Sequence, residues 1–195
     1  LQGKLPDGSD LTRIQDGVNK HRPGYDLTFS APKSVSMLAM LGGDKRLIDA
    51  HNRAVTVALN QVESLASTRV QKDGVSETVL TGNLIIARFN HDTSRAQDPQ
   101  IHTHSVVINA TQNGDKWQTL ASDTVGKTGF SENILANRIA LGKIYQNSLR
   151  ADVESMGYKT VDAGKNGMWE MEGVPVESFS TRSQELREAA GPDAS

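Results

Sequence analysis

Residues 101–111 constrain the fold most, because they combine a β-strand composition with a pair of closely spaced histidines. The segment is rich in Val, Ile and Thr and ends before Asn113-Gly114, a pair typical of a hairpin turn. Side chains two residues apart on a strand point to the same face. The sequence therefore predicts that His102 and His104 project side by side.

A third histidine lies just upstream, so that the segment 91–104 contains three of the five histidines of the chain. His91 follows the apolar run 83–89, which is expected to form a second strand. If residues 92–100 return the chain antiparallel, His91 arrives near the other two rings. Three neutral imidazoles around one ion leave open coordination positions, which favours catalysis over a structural role. The alternatives are an accidental surface pair or a satisfied core histidine.

Composition narrows the class of protein. A chain of 195 residues is long enough for one domain with its own core. The absence of cysteine excludes disulfides, zinc–thiolate sites and thiol nucleophiles and suits a cytoplasmic protein. No apolar run approaches the ~20 residues of a membrane span, and no signal peptide opens the chain. Because the chain starts with Leu, we expect the natural protein to begin upstream.

The net charge of -2 and the pI near 6.2 argue weakly against a nucleic-acid partner. They do not exclude one, because a local basic groove can coexist with an acidic surface elsewhere.

The periodicity predicts a mixed succession of strands and helices. Strands are expected at 25–30, 68–71, 77–80, 83–89, 101–111, 116–120, 158–161 and 168–171. Helices are expected near 10–16, at 32–41 with Ser30 as cap, from the cap Asp44 to about 65, at 129–156 with Gly142 as a candidate interruption, and after Ser180. Tight hairpins join many of the strands, which implies antiparallel pairing. We therefore expect an α+β fold with a central antiparallel β-sheet packed by helices.

Asp26 is a candidate functional residue on the polar face of the strand 25–30. An aspartate inside a strand is disfavoured by propensity, and such a departure often marks a site. Its carboxylate could accept the second N–H of a metal-bound histidine or act as a general base. The alternative is a solvent-facing aspartate on a half-exposed sheet.

The loop between the histidines offers further polar candidates. A guanidinium at Arg95 could hold a phosphate with two hydrogen bonds. The same loop contains Asp92, Thr93, Ser94 and Asp98. The two carboxylates are candidate ligands or ordinary turn residues, and the two hydroxyls bind an anion or close the loop. Gly126-Lys127-Thr128 lacks the upstream glycine of a nucleotide-binding loop, so no ATPase motif is present.

Several segments match one known family. They are Gly24-Tyr-Asp-Leu-Thr-Phe-Ser-Ala-Pro-Lys-Ser-Val-Ser36, His91-Asp-Thr-Ser-Arg95 and Asp98-Pro-Gln-Ile-His-Thr-His104, with Gly126-Lys-Thr-Gly-Phe130 and Gly167-Met-Trp-Glu170. Together they resemble the relaxase domain of conjugative plasmid nickase-helicases, the MobF class of HUH endonucleases. The resemblance extends over nearly the whole chain and implies the relaxase fold, in which the antiparallel sheet forms the palm.

The resemblance also implies an activity. The family domain binds a single-stranded origin of transfer, and a tyrosine attacks one phosphodiester bond and stays attached to the 5′ phosphate. By motif position, the divalent metal is held by His91, His102 and His104. Asp26 matches the aspartate that orients a ligand histidine and accepts the tyrosine's proton, and Arg95 matches an arginine near the DNA backbone.

The family's nucleophilic tyrosines form a cluster at the extreme N-terminus, and Tyr25, Tyr145 and Tyr158 belong to no such cluster. Strand alternation also points Tyr25 away from Asp26, which excludes it as the nucleophile. We therefore expect residues 1–195 to form a relaxase domain without its N-terminal tyrosine segment and without the C-terminal helicase region. Such a chain would bind metal and DNA but not cut.

Cofactor and partners follow from the same resemblance. The family is usually described with Mg or Mn, whereas three histidines favour Zn, Ni or Cu, so we expect promiscuous occupancy by a divalent ion. The helix 129–156 could read base edges through Arg138 or Gln146, and Arg22 and Lys33 are phosphate candidates. The expected partners are single-stranded origin DNA and other relaxosome proteins, with the chain itself a monomer that does not insert into a membrane.

Two alternatives stay open at this point. The chain could be a module that only binds single-stranded origin DNA. It could also be a cupin-like His-x-His metalloenzyme, which would need many strands and few helices.

Overall fold

The computed structural model describes residues 14–15, 18–19, 22–95, 98–123 and 125–177. Its elements in chain order are β1 (Ile14–Gln15), β2 (Val18–Asn19), β3 (Gly24–Ser30), α1 (Lys33–Met40), α2 (Arg46–Ser64), β4 (Ser67–Lys72), β5 (Val75–Leu80), β6 (Ile86–Thr93), β7 (Pro99–Ile108), β8 (Thr111–Asn113), β9 (Lys116–Gln118), α3 (Phe130–Ser155), β10 (Thr160–Asp162) and β11 (Trp169–Met171). Antiparallel strands and three helices in these ranges confirm the predicted α+β class.

The largest sheet in these ranges has three strands in the order β3, β7, β6. Near one end of β3 the Ala31 N–H donates to the Ile101 carbonyl over 2.9 Å. Near its other end the Pro23 carbonyl accepts from the Asn109 N–H over 3.2 Å. Because residue numbers rise on one strand as they fall on the other, β3 and β7 are antiparallel.

The strands β6 and β7 form the predicted hairpin. The Ser94 N–H donates to the Asp98 carbonyl at the loop, and the Ile108 N–H donates to the Ile85 carbonyl at the open end, both over 2.9 Å. The antiparallel return expected after His91 is therefore confirmed. The predicted bounds were wrong, because β6 starts at Ile86 rather than at 83 and extends through His91 to Thr93, and β7 already begins at Pro99.

The described residues divide into two compact units, one with 22–27, 58–88 and 104–142 and the other with 28–57, 89–103 and 143–177. The core cluster of the first consists of Val62, Ala66, Val107, Leu120, Phe130, Ile134 and Leu141. The largest buried apolar side chains of the second are Val35, Leu47, Val55, Tyr145, Leu149, Val153 and Trp169. Removal of this apolar surface from water is the main stabilising contribution in each unit.

Turn chemistry explains the hairpin β4–β5. Asp73 and Gly74 have φ angles of 51° and 78°, which is the pair of positive values that a two-residue type I′ turn requires. The six paired positions run from Ser67 with Leu80 to Lys72 with Val75. The predicted strands were each shorter than the observed ones but correctly placed.

Some local predictions were wrong. Ile14–Gln15 form a strand paired with β2 rather than part of a helix near 10–16. Ser30 is still within β3 and does not cap α1, whose N-cap is Pro32 without a side-chain cap bond. Helix α3 runs without a break through Gly142, since a single interior glycine costs only about 1 kcal/mol. The helix predicted after Ser180 lies outside the described residues.

The start of α1 is stabilised instead by a residue distant in sequence. The Glu170 carboxylate on β11 accepts hydrogen bonds from the Ser34 backbone N–H, over 2.9 Å, and from the Ser34 hydroxyl. The Met171 N–H donates in turn to the Ser34 hydroxyl over 2.8 Å. A carboxylate at a helix N-terminus satisfies an unpaired N–H and interacts favourably with the helix dipole.

The predicted cap of α2 is confirmed at Asp44. Its carboxylate accepts from the Arg46 backbone N–H over 3.1 Å and from the Arg46 guanidinium over 2.9 and 2.7 Å. The Tyr158 hydroxyl also donates to it over 2.6 Å. The hydrogen bonds from the Arg46 side chain, followed by that from Tyr158, hold the pKa of Asp44 well below its usual range.

We expect Asp44→Ala to lower the free energy of unfolding by about 1 kcal/mol, the usual loss for a helix cap. Asp44→Asn is the matched control, because it keeps a capping oxygen and removes only the charge. Since the folded pKa is depressed, the charge stabilises above the unfolded pKa near 3.8 and loses this effect as pH falls through the folded value. Urea unfolding followed by circular dichroism at pH 7 and pH 3 measures both; an Asp44→Ala midpoint equal to wild type would contradict the assignment.

None of the helices in the described ranges is both long and apolar enough to cross a bilayer.

Candidate functional site

Strand β7 carries two of the candidate ligands on one face. Its buried positions are Ile101, Thr103, Ser105 and Val107, and they alternate with half-buried ones. His102 and His104 belong to the half-buried set and therefore share the face that is accessible to a ligand.

The rings of His91 and His102 form a pair. Their centroids lie 5.1 Å apart and their planes are inclined by 16°. The antiparallel hairpin of β6 and β7 allows this approach, because it brings the two strands side by side. Both rings thus lie close enough together to share one ion.

In each β7 histidine, Nδ1 lies within hydrogen-bonding distance of an oxygen acceptor. His102 Nδ1 lies 3.0 Å from the Gln100 carbonyl oxygen, and His104 Nδ1 lies 3.3 Å from Asp26 Oδ2. A neutral imidazole that donates from Nδ1 keeps its lone pair on Nε2, which is the tautomer that a metal ligand needs. Imidazole nitrogens are suitable donors for a divalent ion, and the use of these ones as ligands stays a prediction.

Asp26 contacts a candidate ligand, His104, which is one of the alternatives that the sequence left open. Its side chain is 57% exposed and that of His104 is 37% exposed. Tyr25, by contrast, packs on the core cluster of its unit: its ring lies 5.6 Å from that of Phe130, and its hydroxyl is hydrogen-bonded to Ser131. The strand thus places the carboxylate and the phenol on opposite faces.

No group of three or more His, Asp or Glu side chains in the described ranges is preassembled around one point. The structure brings the candidates together in pairs, His91 with His102 in one unit and Asp26 with His104 in the other. Binding of one ion by all three histidines stays a prediction.

The structure bears differently on the predictions for the residues of the loop between β6 and β7. Besides the backbone bond at the hairpin loop, the Asp98 N–H donates to Ser94 Oγ over 3.2 Å, so these two residues close the loop. Arg95, Asp92 and Thr93 are exposed, and nothing in the structure assigns them a ligand.

Lys33 lines a cavity of about 210 Å³ at the start of α1. The other residues that line it are Ala31, Ser94, Asp98, Pro99 and Gln100. The cavity thus holds the carboxylate of Asp98 as well as the ammonium group of Lys33, and phosphate binding by Lys33 stays a prediction.

The other DNA-contact candidates differ in exposure. Arg22 is exposed and its guanidinium lies 5.4 Å from the centroid of the Tyr25 ring, and Arg138 is exposed on α3. Gln146 is only 7% exposed, and its Nε2 donates to the Ser30 carbonyl over 3.3 Å. Its Oε1 is buried without a hydrogen-bond partner within the described part of the chain.

Each of the three tyrosines of the chain has its hydroxyl engaged. Tyr25 is bound to Ser131, Tyr145 to His51 Nδ1 over 2.7 Å, and Tyr158 to Asp44. Ser131, His51 and Asp44 are not candidate metal ligands, so the structure does not place any of these three phenols as a nucleophile.

Sequence reasoning missed His51. It is 1% exposed on α2, four residues after Leu47 and four before Val55, both of which are fully buried. A polar residue at a core position of an amphipathic helix was the available signal, because such a group needs a buried partner.

Comparisons with known proteins identify the class. Residues 1–193 match a family of relaxases, the TrwC relaxases. The chain belongs to the TrwC relaxase family. It is 74% identical over all 195 residues to a multifunctional conjugation protein TraI of Escherichia coli, and 69% identical to TraI of Escherichia coli strain K12. The chain spans only 11% of the length of each of these relatives.

Solved structures agree with this family. The conjugative relaxase TrwC in complex with oriT DNA, in a metal-bound structure, is 35% identical with a TM-score of 0.81 over 99% of this chain and 66% of that one. A copper-bound complex of TrwC with oriT DNA is 34% identical, also with a TM-score of 0.81, over 100% of this chain and 66% of that one.

Proposed function

We propose that this chain is the part of a conjugative relaxase that binds single-stranded DNA at an origin of transfer and presents one phosphodiester bond for nicking and rejoining. The observation that carries the proposal is the His91–His102 ring pair on neighbouring strands, in a chain that belongs to a relaxase family. The TrwC relatives were solved with oriT DNA, which supports DNA as the ligand here.

In this proposal His91, His102 and His104 bind one divalent ion, with Mg or Mn as the expected ion and Zn, Ni or Cu as tolerated ones. The Nδ1 contacts of the β7 histidines support it, because they leave Nε2 as the ligating nitrogen. A bound ion would polarise the scissile phosphate and offset the charge that develops on its oxygens.

Asp26 holds the ring of His104 and lies on the exposed face of β3, where it can also receive a proton from an attacking phenol. Arg95, on the exposed loop after β6, holds the DNA backbone through its guanidinium. The resemblance of the surrounding motifs to those of relaxases implies these two roles.

The nucleophile in this scheme is a tyrosine outside the 195 residues, since Tyr25, Tyr145 and Tyr158 are all engaged elsewhere. The phenolic oxygen forms a bond to phosphorus as the bond from phosphorus to the 3′ oxygen breaks, and the 3′ oxygen takes a proton. The phosphotyrosine keeps the energy of the broken bond, so the reverse attack by the 3′ hydroxyl rejoins the strand without ATP.

DNA contacts complete the proposal. Lys33, beside its cavity, and Arg22 bind backbone phosphates, and the exposed Arg138 reads a base edge, for which guanine is the preferred partner of arginine. Gln146 can also contact a base only if its buried amide becomes accessible, in which case its Oε1 is the available acceptor.

Two further aspects stay predictions, namely a cytoplasmic monomer and association with other relaxosome proteins. The cupin-like alternative is removed by membership in the relaxase family.

The decisive experiment is a TraI chimera in which the 195 residues replace the matching segment of the 74% identical Escherichia coli protein. With a labelled single-stranded origin oligonucleotide and Mn²⁺, the chimera should form a covalent protein–DNA adduct, and the isolated chain should bind the oligonucleotide without forming one. Binding without cleavage by both proteins would instead favour the DNA-binding module. An isolated chain with no affinity for the oligonucleotide would contradict the proposal.

A further inference from the structure

His51 is buried, yet both nitrogens of its ring are hydrogen-bonded. Nδ1 lies 2.7 Å from the Tyr145 hydroxyl, and Nε2 lies 2.7 Å from the Thr103 hydroxyl. Both partners are themselves at most 1% exposed. The ring is therefore held in one orientation, because loss of either bond would leave a buried polar atom without a partner.

The number of protons fixes the direction of each hydrogen bond. Thr103 has one hydroxyl proton and donates it to Asn90 Oδ1 over 2.7 Å, so it accepts from His51 Nε2–H. Nδ1 of the neutral ring then accepts from Tyr145, whose pKa burial raises, so that its hydroxyl keeps the proton. Asn90 Nδ2 donates in turn to Asn52 Oδ1 over 3.3 Å. The four bonds form one directed chain in which each bond polarises the next.

Two residues of this series of hydrogen bonds are sequence neighbours of candidate ligands. Asn90 precedes His91 on β6, and Thr103 follows His102 on β7. The bond between Asn90 and Thr103 thus ties the two strands together at the level of the ring pair. A shift of the strand register by one residue would turn the histidines of one strand to the opposite face of the sheet. The hydrogen bond between Asn90 and Thr103 therefore stabilises the register that the ring pair requires.

We propose that His51 is a positioning residue for the metal site, acting from behind β7 through Thr103 and Asn90. In this role it fixes the separation of the two strands that carry His91 and His102. The inference rests on the proposed three-histidine site. Loss of a group that orients metal ligands typically weakens metal affinity by about 10–100-fold, and we expect an effect of that size here.

Isothermal titration of the 195-residue chain with Mn²⁺ tests this role. His51→Leu removes both ring hydrogen bonds and should weaken Mn²⁺ affinity by about 10-fold or more. His51→Gln should restore most of it, because the glutamine amide can donate to Thr103 and its carbonyl can accept from Tyr145. The visible spectrum of Co²⁺-loaded protein, which reports coordination geometry, should change for His51→Leu and not for His51→Gln.

A second pair guards against a variant that does not fold. Thr103→Val keeps the shape of the side chain and removes the hydroxyl, whereas Thr103→Ser keeps the hydroxyl. We expect only the valine variant to lose affinity. Val153→Ala, which removes buried apolar volume on the same helix as Tyr145 and deletes no hydrogen bond, is the stability control.

The outcomes separate the two proposals. If the wild-type chain binds no Mn²⁺, or if His102→Ala binds as tightly as wild type, the three-histidine site itself is wrong. If that site stands but His51→Leu and Thr103→Val keep wild-type affinity, the positioning role is wrong. It is equally wrong if Val153→Ala weakens affinity as much as His51→Leu, because the effect would then reflect stability alone.

Discussion

Replacement of His102 by alanine is expected to lower the affinity of the chain for Mn²⁺ by at least about 100-fold, which amounts to a loss of tight binding. His102 is the ring that pairs with His91 at 5.1 Å, and its Nδ1 contact with the Gln100 carbonyl directs Nε2 toward a ligand. Without it, two imidazoles would be left to bind the ion, one of them on the other strand. Isothermal titration calorimetry at pH 7.5 measures the change directly.

Val106→Ala is the matched control for this substitution. Val106 lies four residues after His102 on the same half-buried face of β7, so the variant shortens a side chain there without removing an imidazole. The control should bind Mn²⁺ as wild type does. Unchanged affinity in His102→Ala, with circular dichroism showing a folded chain, would show that the ligand set is wrong.

The short-range part of this site could be predicted from the sequence. The spacing of His102 and His104 and the Val- and Thr-rich composition of their strand are local patterns that predict β7. The strand ends at Ile108 rather than at 111, and the predicted turn at Asn113-Gly114 lies one residue later, at 114–115, because Asn113 pairs with Lys116. The departure of Asp26 from strand propensity was also readable, and the structure places its carboxylate 3.3 Å from His104 Nδ1.

The long-range part could not be predicted, because it depends on partners that only folding brings together. Glu170 caps a helix that starts 137 residues earlier in the chain, and no local pattern at Ser30 could show that this distant carboxylate, and not the Ser30 hydroxyl, satisfies the start of α1. Gln146 was expected on an exposed basic face, but α3 buries that side of the helix. Helix α3 is only weakly amphipathic, because apolar and polar residues are mixed around its axis. The sequence therefore does not predict which face of this helix is buried.

His51 is another residue near the site whose partners could not be predicted from the sequence. Its contacts reach 52 residues forward to Thr103 and 94 residues forward to Tyr145. The apolar stripe of α2 predicts that position 51 is buried, but it does not say which groups satisfy the ring. Tertiary structure supplies that answer, and with it the link to the histidine strands.

Asp26→Asn in the TraI chimera is expected to slow formation of the covalent DNA adduct by about 100-fold or more, the contribution usual for a general base. Asparagine has the size of aspartate and can still accept a hydrogen bond from His104 Nδ1. It carries no negative charge and cannot take a proton from the attacking phenol at neutral pH. Single-turnover rates with a labelled origin oligonucleotide measure the loss.

The same variant separates the two roles assigned to Asp26. If the carboxylate only orients His104, weaker Mn²⁺ binding explains the slower reaction, and saturating Mn²⁺ restores the wild-type rate. If it also accepts the proton, the rate at saturating Mn²⁺ stays about 100-fold low, and raising the pH accelerates the variant because the phenol then ionises without help. Because Asp26 is more than half exposed on the face opposite the half-buried Tyr25, an incoming phenol can reach it, and we expect the second result. A wild-type rate at low Mn²⁺ would contradict both roles.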